Sequence, residues 1–246
     1  MTGQAKYDAM FSGVIGQDYE LLNLICPAAT QMSRLVGDAV AGYAEQAKAN
    51  LAVVELGGGT GITTLALLTA SDKLNILSVD NEPVMQEQAK KNLQHWTADG
   101  KLSFCGDDAL TALNNLDSAS IDIVASAYTL HNFLDSYRSK VIQDIFRVLK
   151  PGGQFVNGDR YALDDISLHT RTIQDEISGY FNVLTQLNKP DVLEHWIVHL
   201  FCDESENHVM RESVALNQLR DAGFAAINLS HRLAVNALVT AQKPAL

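Results

Sequence analysis

The sequence predicts an α/β fold: a largely parallel sheet with helices on both faces. Three observations carry this reading. Short apolar runs alternate with amphipathic stretches between residues 51 and 159. The runs are nearly continuous in apolar character, as strands buried on both faces must be. The 246 residues, 47% hydrophobic and 19% charged, suit one large domain with added elements rather than a disordered or fibrous chain.

Residues 1–50 read as a helical cap on the domain that follows. Apolar residues recur at Tyr19, Leu21, Leu22, Leu24 and Ile25, then at Met32, Leu35, Val36, Ala39 and Val40, with Pro27 between the two stretches. Residues 51–246 form the main domain. Its first strands are LAVVEL (51–56), LNILSV (74–79), LSFC (102–105) and IDIVAS (121–126). Helices are expected at 62–70, 83–96 and 136–149. The last of these has apolar residues at Val141, Ile142, Ile145, Phe146 and Leu149, a cap from Asp135 or Ser136, and a stop at Pro151-Gly152-Gly153. Residues 160–210 break the alternation and read as a helical insertion of two helices, 164–187 and 190–202. A helix at 212–222 ends at Gly223. Residues 227–242 offer two strands around a tight turn near Ala234–Asn236, which fits a mixed sheet.

Eighteen basic against 29 acidic residues give a formal net charge of −11, a field that disfavours polyanions, so no nucleic-acid partner is expected. Cys26, Cys105 and Cys202 form neither a CxxC pair nor a disulfide framework. The stretch MTGQAKYDAMF lacks the apolar core of a signal peptide, and no apolar run approaches the ~20 residues of a membrane span. A cytoplasmic protein with no membrane association is expected.

The sharpest local feature is VVELGGGTGITTLAL (53–67), a strand reaching Glu55, then Gly57, Gly58, Gly59 and Gly61, then a helix. Glycines permit positive φ and let a ligand approach the backbone, and the open helix start offers N–H groups to a negative group. No GK[ST] follows, which excludes a P-loop, and Ile62 stands where GxGxxG needs its third glycine. A carboxylate just before the loop would repel a pyrophosphate but stabilise an ammonium group. The expected ligand is therefore a zwitterionic nucleoside cofactor. S-adenosylmethionine, with its ammonium, carboxylate, sulfonium and adenosine, fits. Asp80 ends the second strand, where a carboxylate accepts from both ribose hydroxyls of a bound nucleoside. Gly106-Asp107-Asp108-Ala109 follows the third strand, where either Asp107 or Asp108 is placed to accept from the adenine amino group.

Together these residues resemble the class I S-adenosylmethionine-dependent methyltransferase family. ELGGGTG resembles its glycine motif, Asp80 its ribose acid, GDDA its adenine-side acid and LKPGG (149–153) its turn before the fifth strand. The resemblance covers roughly residues 50–160 and, more weakly, AGF at 222–224. It implies a Rossmann-like doubly wound sheet of seven strands with the last antiparallel. It also implies cofactor-binding roles for Glu55, Gly57, Gly59, Gly61 and Asp80.

In open α/β sheets ligands sit at the carboxyl ends of the strands. SAYTLHNFLD (126–135) ends the fourth strand and brings His131 near the transferable methyl. HNF resembles the HDW segment of O-methyltransferases, in which a histidine deprotonates the acceptor hydroxyl, and departs from it at the aspartate. Histidine as a residue type suits that proton transfer near neutral pH; a packing role is the alternative. Tyr128 and Asn132 are polar neighbours. Asp159 and Arg160 follow the fifth strand, where Arg160 could grip a substrate carboxylate or simply pair with Asp159 on the surface. Tyr7, Phe11, Tyr19 and the insertion would build the acceptor pocket. Asp191, His195, His199 and Asp203 share one helix face at i, i+4 spacing. The run is not HExxH and has no evident third-ligand motif, so it reads as a polar face and no metal is expected.

The sequence thus points to methyl transfer onto a small-molecule substrate. The layout, with GQDYELLNLI before the core and a helical insertion after it, is also somewhat similar to the carboxy-S-adenosylmethionine synthase family, which modifies the cofactor itself. That family has DLGCSLG where this chain has ELGGGTG, and residues 190–210 contain no arginine to anchor a carboxylate. A non-catalytic cofactor-binding module is the alternative from a different class.

Overall fold

The computed structural model describes residues 17–245, so the expectation for Tyr7 and Phe11 lies outside the described residues. Helices α1 (Gln17–Ile25) and α2 (Pro27–Glu45) lead into β1 (Leu51–Leu56), α3 (Ile62–Ala70), β2 (Leu74–Val79), α4 (Pro83–Asn92), α5 (Gln94–Ala98) and β3 (Leu102–Cys105). The chain continues through α6 (Ala109–Asn114), β4 (Ile121–Ala127), a 3-10 turn (Leu130–Asn132), α7 (Asp135–Val148) and β5 (Leu149–Arg160). It ends with α8 (Ile166–Gln186), α9 (Pro190–Asp203), α10 (Glu212–Ala222), β6 (Ala225–Leu233) and β7 (Asn236–Gln242). The strand order is β3-β2-β1-β4-β5-β7-β6 in one seven-stranded sheet. Strands β1 to β5 are mutually parallel, and β7 runs antiparallel between β5 and β6. This is the Rossmann-like doubly wound sheet. Its order reverses between β1 and β4, which opens a crevice above their carboxyl ends.

Period-two alternation sorts each strand's residues between two cores. Val53, Ile76, Ile123 and Val156 face α2 and α3, while Val54, Val124, Phe155 and Val239 face α7 and α10. Close packing on the first face depends on two small residues. A Cβ at Gly158 of β5 would stand 3.0 Å from Met32 and Val36, and one at Gly37 of α2 would stand 2.9 Å from the Ala66 carbonyl. A third apolar cluster lies apart from both: Ile25 of α1 with Tyr180, Leu184 and Leu200 of α8 and α9. Helix α2 belongs to the sheet layers, and α1 bridges the two: Tyr19 is in the first sheet core, while Ile25 joins the inserted helices in a cap over the strand ends.

Some element limits differ from expectation for local reasons. The 83–96 helix breaks at Leu93, whose side chain is buried in the core. Helix α7 has Leu134 at its N-cap with no side-chain cap bond, so neither Asp135 nor Ser136 caps it, and Asp135 instead sits in the first helical turn. Its last residue is Val148, because β5 already begins at Leu149 and carries Pro151-Gly152-Gly153 within it, at a register shift against β4. Asp159 and Arg160 are consequently the last residues of β5 rather than a loop after it. Helix α6 was not expected, although its N-cap, Asp108, stands within the GDDA segment.

Replacing Gly158 by valine should destabilise the fold by about 1–3 kcal/mol through overpacking against α2, read as a lower urea midpoint at unchanged m-value. Gly42, also on α2 but with open space around it, should tolerate alanine at no such cost.

Candidate active site

The crevice is a groove of about 670 Å³, floored by Gly57, Gly59, Asp80 and Tyr128 and walled by Asp107, Phe133 and Trp196. The glycine loop fits its place for steric reasons. Gly57 has φ +74°, and a Cβ there would collide with the Thr129 side chain at 1.9 Å. Gly59 has φ +51° and nothing within 4 Å of its Cβ position, so its bare backbone faces the groove. Gly61, at φ +98°, is the N-cap of α3 and packs against Leu93; it does not line the groove.

Two acids hold this loop from different sides. Glu55 is fully buried beneath it, and one carboxylate oxygen accepts from Thr64 Oγ1 at 2.7 Å and Ser78 Oγ at 2.6 Å. The other oxygen, Oε1, is buried without a partner. Burial pushes the Glu55 carboxyl up to about 7, against the opposing hydroxyl bonds and with a further push from Asp80. Glu55 is thus not on the groove wall but behind the loop that forms it. Asp80 is on the wall: its carboxylate accepts from Gly59 N at 2.7 Å and Glu82 N at 2.8 Å.

The adjacent acids Asp107 and Asp108 have different surroundings. Asp108 caps α6, accepting from Leu110 N, Thr111 N and Thr111 Oγ1, and takes a further bond from Tyr137 OH at 2.6 Å. The Thr111 and Tyr137 hydroxyls hold its carboxyl down to about 2. Asp107 is exposed at the groove edge, and its one side-chain partner is the Cys105 thiol at 3.5 Å.

His131 lies on the 3-10 turn after β4, 4% exposed. Its Nδ1 is 2.5 Å from Asp159 Oδ1. Asp159 is fully buried at the end of β5 and also accepts from Leu130 N at 2.9 Å, Arg160 N at 2.8 Å and Asn157 Nδ2 at 3.3 Å. Burial alone would raise its carboxyl, but His131 and these donors outweigh it and hold it below the usual carboxylate range. A second buried ion steadies the turn from α7: Arg138 donates to Leu130 O at 3.0 Å, Phe133 O at 2.7 Å and His208 O at 2.5 Å. At the other end of this positioned imidazole, His131 Nε2 lies 3.7 Å from Asp203 Oδ2. His131 lines a small cavity of about 160 Å³ under the cap, together with Cys26, Arg160, Tyr180 and Asp203. This cavity shares Tyr128, Asn132, Trp196 and His199 with the groove, so the two adjoin.

The remaining expected residues separate. Tyr128, at φ +50°, lines both spaces and donates its hydroxyl to Asn236. Arg160 lines the small cavity but is committed: it makes a two-pronged pair with Glu176 at 2.7 and 3.1 Å and reaches Glu204 at 3.3 Å. It pairs with neither Asp159 nor open space. Tyr19 is fully buried in the core beside Met32 and lines neither space. Arg138 escaped sequence reasoning, and Asp159 and Asp203 were singled out there without their link to His131. The one available signal was a charged pair, Asp159-Arg160, ending an otherwise apolar strand.

Comparison with known proteins bears on this geometry. Residues 53–153 match the family described as methyltransferase domain. Over these residues the chain is similar to class I methyltransferase domains. A demethylmenaquinone methyltransferase of Leptospira interrogans is 38% identical over 110 residues, 45% of this chain and 43% of that protein. The chain thus spans less than half the length of that relative. A carboxy-S-adenosyl-L-methionine synthase of a Shewanella species is 24% identical over 205 residues, 76% of this chain and 79% of that protein. An O-methyltransferase family protein from Burkholderia thailandensis shares the fold at TM-score 0.62 and 17% identity, over 99% of this chain and 61% of the other.

A methyltransferase domain of this class takes S-adenosylmethionine, and the groove's chemistry fits that cofactor. Open space above the Gly59 backbone admits a ligand, acids at Asp80 and Asp107 can accept from hydroxyl and amino groups, and the unpartnered Glu55 Oε1 favours positive charge above the loop.

The two adjacent acids should separate by experiment. Asp108→Ala should lower stability by about 0.5–2 kcal/mol through loss of the α6 cap, seen in thermal melts. Asp107→Ala should leave the melting temperature unchanged and weaken S-adenosylmethionine binding in calorimetry.

Proposed function

We propose that this chain is an S-adenosylmethionine-dependent methyltransferase whose acceptor is a small molecule presenting a hydroxyl to His131. The observation that supports this most is the adjoining of the two spaces, one with cofactor chemistry and one ending at the His131–Asp159 pair. The cofactor, when bound, supplies a methyl group on a sulfonium that is already a good leaving group. Asp80 would hold the ribose hydroxyls, and Asp107, whose oxygens are not consumed by a helix cap, would face the adenine. Gly57 and Gly59 let the ligand lie against backbone, and Glu55 supports the loop from beneath and favours the amino group's charge. Tyr128 and Asn132 stand between the two spaces and orient the acceptor. The cap of α1, α8 and α9 excludes water.

His131 Nε2 takes the acceptor's proton. Asp159 fixes the tautomer by accepting from Nδ1, so the Nε2 lone pair points into the cavity, and it stabilises the imidazolium that forms. Arg160 holds the cap to the sheet through Glu176 and Glu204 rather than binding a substrate carboxylate. The free cysteines Cys26, Cys105 and Cys202 fit a reducing compartment such as the cytoplasm.

A second reading follows from the 205-residue similarity to carboxy-S-adenosyl-L-methionine synthase. Against it, Arg160 is tied to two carboxylates and residues 190–210 offer no arginine. Mass spectrometry of retained ligand separates the readings: S-adenosylmethionine or its demethylated product supports the first, a carboxylated cofactor the second.

Two variants test the assignment. Asp80→Ala should weaken cofactor binding by ~1.5–3 kcal/mol in calorimetry on a folded protein; unchanged affinity would remove the ribose role. His131→Ala should lower kcat by about 10²–10⁴ with cofactor affinity intact, assayed with labelled cofactor once an acceptor is found in a metabolite extract. A loss confined to KM would assign His131 to packing instead.

A further inference from the structure

The floor of the small cavity carries more ligating chemistry than a proton acceptor needs. Asp203 closes α9 and is 8% exposed; His199 lies one turn earlier on the same helix face. His199 Nε2 is 3.6 Å from Asp203 Oδ2, and His131 Nε2, arriving from the turn after β4, is 3.7 Å from the same oxygen. One donor atom from each of the three residues lies within 4.8 Å of the others. A tetrahedral ion with bonds of ~2.1 Å has ligand–ligand edges of about 3.4 Å, so two edges already stand within a few tenths of an ångström of that figure.

The surroundings support a cation. The His131–Asp159 bond of 2.5 Å is the arrangement that orients a metal-bound imidazole and directs its other nitrogen outward. Around the cluster the carboxylates of Asp159, Glu176 and Glu204 outnumber the Arg160 guanidinium, which Glu176 and Glu204 neutralise. All three residues line the small cavity. Two imidazoles and one carboxylate suit zinc and its transition-metal neighbours rather than magnesium or calcium, which prefer all-oxygen sets. The helix spacing of His199 and Asp203 is visible in sequence; the third ligand is not, because it comes from a turn some seventy residues upstream and meets them only in the fold.

We propose that His131, His199 and Asp203 form a binding site for a divalent transition metal, Zn²⁺ in preference, and that the bound ion occupies the Nε2 lone pair and blocks methyl transfer. One lone pair cannot hold a metal and accept a proton at once. The blocking half rests on the proposed methyl-transfer reading; the binding half does not.

Cobalt is the probe, because its visible absorption reports coordination without any acceptor present. Titrated into the full chain stripped of metal, Co²⁺ should bind one per chain, give that absorption and be displaced by Zn²⁺. His199→Ala and Asp203→Asn should each weaken it at least tenfold. His199 is about half exposed and makes a safe variant, with circular dichroism as the folding check. No cobalt absorption, or wild-type affinity retained in both variants, overturns the site. One equivalent of Zn²⁺ should then stop labelled-methyl transfer by the wild-type chain, and transfer that continues with zinc bound overturns the block. A metal-free chain that transfers no methyl while binding Co²⁺ through these residues counts against the proposed function and leaves the metal site supported.

Discussion

The Asp159 carboxylate is the interaction on which the candidate site depends. It is fully buried at the end of a central strand and would be costly there as an isolated ion. Four donors compensate: the imidazole of His131, two backbone N–H groups and the Asn157 amide. Hydrogen bonds to a charged group contribute about 1.5–3 kcal/mol each, enough together to offset burial, which is why the carboxyl lies below rather than above its ordinary range. Two of the donors, the His131 imidazole and Leu130 N, belong to the turn, and the other two, Arg160 N and the Asn157 amide, belong to β5 itself. Satisfying the carboxylate and aiming the imidazole are therefore one event. Arg138 works on the same turn from the opposite side, through the Leu130 and Phe133 carbonyls.

Glu55 is solved differently, and the contrast is informative. It too is fully buried, but only two hydroxyls meet it, both at one oxygen, and its carboxyl rises to about 7. An unfolded glutamate titrates near ~4.3, so the fold favours the protonated form. The sign follows: the ionisation cost is absent below that value, grows as pH rises, and is complete above about 7. A cation seated above the loop offsets that cost.

What was legible in the sequence was local. The apolar strand runs, the glycine loop with its acid, Asp80 at a strand end and the β6–β7 pair each reside in one segment and follow from spacing and residue type. What was not legible is pairwise and long-range. Arg160 read as a grip for a substrate carboxylate or a partner of Asp159 because its real partners are distant in sequence, Glu176 sixteen residues on and Glu204 just after α9. Tyr19 looked like a pocket residue because a tyrosine at a helix start is amphipathic, whereas packing places it in the core beside Met32. The bridging place of α1, with Tyr19 in the sheet core and Ile25 in the cap, was hidden because both N-terminal helices have similar apolar periodicity. Asp107 and Asp108 could not be ranked until Tyr137, from α7, was seen to reach Asp108.

The two halves of the site are consequently held by forces of different kind. The cofactor groove is set largely by backbone: positive φ at Gly57 and Gly59, N–H groups on Asp80, strand ends fixed by the sheet. The small cavity is set by side chains across the boundary between sheet and cap. Arg160 on β5 grips Glu176 on α8 and Glu204 after α9, and His169 Nε2 lies 2.6 Å from Glu204 Oε2. The cap's own apolar cluster is separate from both sheet cores. Substitutions in α8 and α9 can therefore reshape the small cavity without straining the sheet, whereas substitutions in the glycine loop meet backbone at once. In this architecture the small cavity is free to vary beside a groove that is not.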